Sequence, residues 1–320
     1  MSVMGIQRTM PTVEELQWAA GFFDGDGCVF CGHDCCLRVS VEQAVTYKAN
    51  LLEMSRLFGG GVATCAPPKH ATRNQKYRWR LCGDDAIRFC QMVEPHAVLK
   101  RPQIELGARF EKGQTRRCAV TVTDGKGGFW QTQTLSAMAK QLGCTRETVK
   151  ELKVPFTVTL QKQAMSKEDK LQVRNQLMEL KKQRHADIPD CLPPAYTAGF
   201  LDADGCLRLR TRRTGRYLVI SANQKHDAIT RALMRTHGGS VSTSNKESQW
   251  TVQGDAGFRC LHCLMPYFVG KLPQAQLLST LTPDNQDEVA AKVTALKMHI
   301  PKEGIPAGVA LPVDSSLPKC

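Results

Sequence analysis

The residues best suited to chemistry in this 320-residue chain lie in two short stretches that repeat one another. Ala19 to Cys28 reads AAGFFDGDGC and Thr197 to Cys206 reads TAGFLDADGC. Each ends in an acidic pair bracketed by small residues, Asp24-Gly25-Asp26-Gly27 and Asp202-Ala203-Asp204-Gly205. The glycine after the second acid can adopt positive φ and stop a helix, which places Asp26 and Asp204 at helix C-terminal ends. The last carbonyls of a helix carry partial negative charge, so a carboxylate there is unfavourable, and a second one nearby makes it worse. Such an arrangement calls for a cation. Hard divalent ions such as Mg²⁺ take oxygen ligands, keep several waters and bind through one or two carboxylates plus substrate phosphate. One copy alone reads equally well as a plain helix stop; two matched copies favour a shared site.

The elements that must position these acids follow from periodicity. Small residues four apart, Gly21 with Gly25 and Gly199 with Ala203, leave a shallow stripe along which two helices can approach closely and bring the carboxylates together. Thr12 and Glu15 stand in capping-box spacing for the first helix, which runs to about Gly25, and the second opens near Pro193-Pro194. Tyr77, Trp79 and Leu81 alternate with Lys76, Arg78 and Arg80, the period of a strand with one buried face. Leu37, Val39 and Val41 alternate likewise with Cys36, Arg38 and Ser40. In the second half Leu207 and Leu209 alternate with Arg208, Arg210 and Arg212, and Trp250 and Val252 with Gln249, Thr251 and Gln253. The outward faces are therefore rich in Arg, Lys and Gln, side chains that contact phosphates and base edges. A merely solvated face is the alternative.

The repeat extends past the acids. Trp79 to Leu106 matches Trp250 to Leu277 without a gap, sharing Trp79/Trp250, Gly83/Gly254, Asp84/Asp255, Arg88/Arg259, Pro95/Pro266, Val98/Val269, Lys100/Lys271, Pro102/Pro273, Gln103/Gln274 and Leu106/Leu277. SVEQ ending at Gln43 parallels SANQ ending at Gln224, each followed by a helical stretch and a Gly-Gly pair. With the doubled motif, the chain resembles the LAGLIDADG homing endonuclease family in its single-chain form, over nearly everything except about Lys112 to Gln163. That resemblance implies an α+β fold of two pseudo-symmetric αββαββα half-domains forming a saddle over the DNA major groove. It implies that Asp26 and Asp204 bind the catalytic metals, Mg²⁺ or Mn²⁺. Gln43, Gln224, Lys100 and Lys271 would join them as catalytic residues around the attacking water. Tyr47 stands where some relatives have a basic residue, which departs from the family pattern.

The implied activity is site-specific double-strand DNA cleavage by metal-assisted phosphodiester hydrolysis, one cut per strand, leaving short staggered ends. Its DNA-binding residues are Arg38, Ser40, Lys76, Arg78, Arg80, Arg208, Arg210, Arg212, Gln249, Thr251 and Gln253. The alternative is a cleavage-deficient nucleic-acid-binding protein of the same fold, an intron-splicing maturase or a DNA-binding regulator, with intron RNA as a further candidate partner. A regulator has no need of two matched sets of acids and lysines, so the nuclease is favoured.

Bulk properties agree. The formal net charge of +13 makes a polyanion, here double-stranded DNA, the natural partner. No apolar run approaches a membrane span, no secretory leader is evident, and fourteen irregularly spaced cysteines suit a reducing intracellular compartment such as nucleus, organelle or bacterial cytoplasm. A monomer is expected, since both motif copies lie in one chain. Cys28, Cys31, His33, Cys35 and Cys36 invite a zinc reading. Against it, Cys206 repeats Cys28 with no following cluster. Cys260 and Cys263 sit in a helical pattern and read as core. Between the halves, LSAMAKQLGCTRETVKELK from Leu135 has the small, turn and apolar positions of a helix-turn-helix, with Arg146 and Lys150 as its DNA contacts. The domains are then residues 1–111, first half; 112–164, inserted module; 165–189, charged connecting helix; 190–300, second half; and 301–320, C-terminal tail.

Overall fold

The computed structural model describes residues 10–32, 36–65, 76–110, 117–123, 129–132, 157–163, 167–182, 188–213, 215–225, 227–244 and 247–298. The first half runs α1 (Val13–Asp26), β1 (Gly27–Cys31), β2 (Leu37–Ala44), α2 (Lys48–Phe58), β3 (Gly61–Thr64), β4 (Lys76–Cys82), α3 (Asp84–Val93) and α4 (Arg101–Ala108). Three strands, β5 (Arg117–Thr123), β6 (Phe129–Thr132) and β7 (Thr157–Gln163), and helix α5 (Lys167–Lys182) follow. The second half repeats the first as α6 (Pro194–Asp204), β8 (Gly205–Arg212), β9 (Gly215–Gln224), α7 (Asp227–His237), β10 (Ser240–Thr243), β11 (Ser248–Gln253), α8 (Gly254–Leu264) and α9 (Leu272–Ser279), with α10 (Gln286–Met298) added. The fold is the expected α+β pair of αββαββα halves.

Each half folds its strands into a four-stranded antiparallel sheet, ordered β1-β2-β4-β3 and β10-β11-β9-β8. Ser40 pairs with Arg80 and Glu42 with Arg78 in the first; Ser221 pairs with Thr251 and Asn223 with Gln249 in the second. One face of each sheet is covered by helices. Val39, Val41, Trp79, Ile220, Trp250 and Val252 point there and are fully buried. The repeated tryptophans do the same work twice. The Trp79 indole donates to the Gly59 carbonyl at 2.7 Å and that of Trp250 to Gly238 at 2.8 Å, pinning the helix–strand turn in each half. The next residue must be glycine on two counts. Gly60 and Gly239 have φ of +79° and +90°, and an added Cβ would lie 2.6 and 2.3 Å from the carbonyls of Arg80 and Thr251.

The halves are joined through α1 and α6. The Thr12 side chain accepts from the Glu15 amide and the Glu15 carboxylate from the Thr12 amide, the expected capping box, while α6 starts on Pro194. Where the helices cross, a Cβ on Gly21 would lie 2.0 Å from the Tyr196 carbonyl, and one on Gly199 would lie 2.0 Å from that of Trp18. The two backbones touch, and only hydrogen fits between them.

Two expectations need correcting. The glycines after the acids do not use positive φ: Gly27 and Gly205 are extended, at φ −74° and −84°. Space makes them glycine, because a Cβ would fall 2.4 Å from the Phe23 carbonyl and ring or 2.5 Å from the Leu201 carbonyl. In addition, the inserted segment, expected as small helices, contains an antiparallel sheet ordered β6-β5-β7. The helix-turn-helix with Arg146 and Lys150 lies outside the described residues. The charged helix α5 buries Val173 and Leu177 against the first half. Among the described residues no helix is long and apolar enough to cross a membrane.

Candidate functional site

Both motif helices end at the same place. Asp204 Oδ2 lies 3.3 Å from where a Cβ on Gly25 would stand, so the carboxylate of α6 rests against the last turn of α1, and the charge of Asp204 bears directly on Asp26. Gln43, at the end of β2, donates from Nε2 to Asp26 Oδ2, and Gln224, at the end of β9, donates from Nε2 to Asp204 Oδ2 at 2.5 Å. The four residues the repeat singled out therefore meet in two matched carboxylate–amide pairs.

The other acid of each motif has a different task, which the sequence reading missed. Asp24 is buried and accepts from the amides of Val98, Leu99 and Lys100 at 2.8, 2.9 and 2.8 Å. Asp202 accepts from the amides of Val269 and Lys271, both at 2.8 Å. Each holds the loop that delivers a lysine. Each also takes a bond from the opposite helix: the Tyr196 hydroxyl donates to Asp24 at 2.7 Å and the Trp18 indole to Asp202 at 3.0 Å. Trp18 and Tyr196 occupy matching places in the repeat, each three residues before its glycine. That match was the available signal.

The lysines so delivered turn back onto the helix ends. Lys100 Nζ donates to the carbonyls of Phe23, Asp24 and Gly25 at 2.9, 2.5 and 2.9 Å, and Lys271 Nζ to that of Asp202 at 2.6 Å. They supply the positive charge a helix C-terminus favours, from outside the helix. Burial depresses both ammonium pKa values, against the opposing pull of the nearby aspartates. Burial, then the charge of Asp204, pushes Asp26 up to about 6, while Lys100, Lys271 and Gln43 pull the other way. Asp204 is raised by burial too, against Lys100, Gln224 and Lys271.

Among the described residues neither Asp26 nor Asp204 has an ion-pair partner, and no three His, Cys, Asp or Glu side chains converge on a point. Adjacent, desolvated carboxylates with no cation of their own are the donor set a hard divalent ion fits, provided water and phosphate complete its shell. Of the residues in the cysteine zinc reading, His33 and Cys35 lie outside the described residues, and among the described residues Cys28, Cys31 and Cys36 belong to no cluster of three such donors.

From Asp26 a cavity of about 390 Å³ opens onto the uncovered face of the first sheet, lined by Cys28, Phe30, Ser40, Glu42, Lys76, Arg78 and Arg80. Four predicted DNA contacts thus share a space with the acid. Arg38 lies on the same face, paired in register with Phe30 and Cys82. Glu42, which the sequence reading passed over, pairs with Arg78 there, Nε to Oε1 at 2.7 Å. In the second sheet the matching cross-strand pair is neutral, Gln249 Nε2 donating to Asn223 Oδ1 at 2.7 Å. Arg208, Arg210 and Arg212 alternate outward along β8. Arg212, eight residues on from Asp204, lies roughly 25 Å away by strand rise, its guanidinium 4.0 Å from the Tyr217 ring. Thr251 and Gln253 continue the face on β11. Ser40 is only 8% exposed, less open than alternation implies.

Two helix C-termini meeting on a pseudo-two-fold axis between two sheets define the fold of LAGLIDADG homing endonucleases, and this chain has that fold. Solved structures carry the comparison. A mutant of I-SmaMI is 15% identical, with 90% of this chain and 98% of that one covered at a TM-score of 0.53. The meganuclease I-SmaMI bound to uncleaveable DNA is 12% identical (93% and 100% covered, TM-score 0.52), as is the LAGLIDADG homing endonuclease I-LtrWI bound to target DNA (92% and 100%, 0.51). No family model and no curated protein matches the chain.

Proposed function

We propose that the chain is a divalent-metal-dependent endonuclease that lays both sheets on double-stranded DNA and hydrolyses one phosphodiester on each strand, leaving short staggered ends. The observation that carries this reading is the convergence of Asp26 and Asp204, each gripped by a glutamine, with Asp26 lining a cavity walled by Lys76, Arg78 and Arg80. That geometry supports phosphoryl-transfer chemistry, because Asp26, with Asp204 beside it, faces a space that cationic side chains prepare for a polyanion.

Asp26 and Asp204 would hold Mg²⁺ or Mn²⁺, which when bound supplies a Lewis acid for the scissile phosphate and acidifies attacking water. The protein's own residues do the rest. Gln43 and Gln224 fix the rotation of each carboxylate by holding Oδ2. Lys100 and Lys271 neutralise the helix ends, so that two acids can stand side by side, and sit close enough to bear on charge developing between them. Lys76, Arg78 and Arg80 hold backbone phosphates in register with Asp26.

Selection of cut sites from a randomised duplex library, followed by assay of Asp26→Asn, tests the reading. The substitution is expected to keep DNA affinity within a few-fold and to abolish double-strand cutting, leaving at most a nick. Normal cutting of both strands by Asp26→Asn ends the proposal. Tight, metal-independent binding with no cut in the unsubstituted protein would favour the binding-only protein of the same fold.

A further inference from the structure

The two lysines are not held alike. Lys100 spends its three N–H groups on three carbonyls of α1. Lys271, only 3% exposed, gives one N–H to the Asp202 carbonyl and has no second hydrogen-bond acceptor among the described residues. Instead its ammonium lies 4.8 Å from the centroid of the Tyr47 ring. Tyr47 belongs to the other half. It ends a 3-10 turn, Val45–Tyr47, between β2 and α2, and its half carries Asp26 and Gln43. The corresponding connection in the second half is shorter: four residues separate Gln43 from α2, and two separate Gln224 from α7.

A neighbouring contact comes from the same corner. Asn50, fully buried as the third residue of α2, lies against the loop before Lys271, where a Cβ on Gly270 would meet its Oδ1 at 2.5 Å. Leu99 occupies the place of Gly270 in the first half. The first half thus reaches across the pseudo-two-fold axis onto the Lys271 loop with a ring and an amide.

We propose that Tyr47 is a positioning residue that crosses from the first half to orient the Lys271 ammonium, so that the two strand cuts are served by unequal lysines. This rests on the nuclease reading and deepens it. The ring face attracts the ammonium without consuming an N–H, which leaves Lys271 with hydrogens to give to phosphate or water. Lys100, with its N–H groups directed at three carbonyls, bears on the acids through its charge and has no hydrogen left to give. A departure from the basic residue found in some relatives thereby becomes a device that distinguishes the strands.

The experiment uses the full chain and a duplex recovered by selection, with each strand end-labelled differently. Tyr47→Leu is expected to slow one strand by about 3- to 30-fold, the range of a partly desolvated cation–π contact, and the other by less than about twofold. The slowed strand is to be the same one slowed by Lys271→Met, and Tyr47→Phe, which keeps the ring, is to recover most of the rate. Independently of cutting, selectively labelled lysine places the Lys271 ε-methylene resonance upfield in the unsubstituted protein and in Tyr47→Phe, and returns it to the ordinary position in Tyr47→Leu. Equal slowing of both strands, equal damage from Phe and Leu, or an unshifted Lys271 resonance overturns the inference. If the resonance behaves as expected but no selected duplex is ever cut, the nuclease reading has failed, and this inference falls with it.

Discussion

Gly199→Ala puts the central joint of the molecule to the test. An added Cβ would stand 2.0 Å from the Trp18 carbonyl oxygen, 2.8 Å from its carbon and 3.0 Å from the Phe22 nitrogen. Ordinary carbon–oxygen contacts are about 3.3–3.6 Å, so the helices must part by roughly 1.3 Å at the crossing. The obstacle is backbone, which cannot rotate aside. A gap of 0.5–1 Å already forfeits about a quarter to a half of each dispersion contact, and α1 and α6 bury Trp18, Phe22, Tyr196 and Phe200. The bonds from Trp18 to Asp202 and from Tyr196 to Asp24 span the same joint and stretch with it. Overpacking typically costs about 1–3 kcal/mol; with two strained charge-assisted hydrogen bonds, a loss of roughly 4 kcal/mol is expected. Urea unfolding followed by far-UV circular dichroism measures it. Gly61→Ala, where nothing lies within 4 Å of the new Cβ, is the control and should move stability by about 0.5 kcal/mol at most. Where Gly199→Ala remains folded, displacement of Asp204 against Asp26 by an ångström should cut strand cleavage by about 100-fold, with DNA affinity less affected. A Gly199→Ala protein within about 1 kcal/mol of the unsubstituted chain would refute the close backbone contact, and with it the account of how the two acids are held together.

Other consequences are equally direct. Asp26 titrates near 6 in the fold against an ordinary 3.8, so its contribution to stability is fully present below pH 4 and is lost as pH rises through 6. Metal-free protein should lose up to about 3 kcal/mol over that window. Asp26→Asn should flatten the profile, and a flat profile in the unsubstituted chain would contradict the burial of this carboxylate. Tyr196→Phe removes one of four donors from buried Asp24 and is expected to cost about 1.5–3 kcal/mol in chemical denaturation; no change would mean that the cross-helix bond is idle. Finally, replacing Lys76, Arg78 and Arg80 by alanine together should reduce the salt slope of DNA binding by about 1 to 3. An unchanged slope would remove this face from the interface.

What was legible in the sequence was whatever repeats or alternates. The acids, the glutamines and the lysines stand out because two copies carry them at matching places. The sheet faces stand out because Trp79 and Trp250 each sit in a period-2 pattern with one apolar side. What depends on contact between distant segments was hidden. Gly27 and Gly205 look like left-handed helix stops, yet they are glycine because Phe23 and Leu201 fill the space where a Cβ would stand. Asp24 and Asp202 look like second copies of their neighbours, yet two residues, about half a helical turn, separate an acid held by a glutamine from one that ties down a loop. Tyr47 looks like a lost basic residue, and only its placement across the axis gives it a partner. The strands of the inserted segment do alternate, Val120 and Val122 with Thr121 and Thr123 and Val158 and Leu160 with Thr157 and Thr159, but they have no repeat counterpart to draw the eye.

On the proposed nuclease reading, the electrostatics of the joint favour a metal over a protein cation. Two helix C-termini and four aspartates meet in a small volume. Asp24 and Asp202 are answered by backbone amides and a cross-helix donor, and the lysine N–H groups are directed at carbonyl oxygens rather than at carboxylates. The negative charge left over belongs to Asp26 and Asp204, each hydrogen-bonded by a neutral glutamine, with Lys100 and Lys271 acting on them only through space. Burial raises both, and it takes Asp26 up to about 6, so near that pH Asp26 already holds a proton that an isolated carboxylate would release. A group that recruits a proton against its ordinary preference exchanges it readily for a stronger cation, and metal binding here should release protons and tighten as pH rises through 6. Calorimetric Mg²⁺ titration in buffers of different ionisation enthalpy measures that release. Binding with no proton released at pH 6, and the same affinity at pH 6 and pH 8, would show that the cation is held elsewhere.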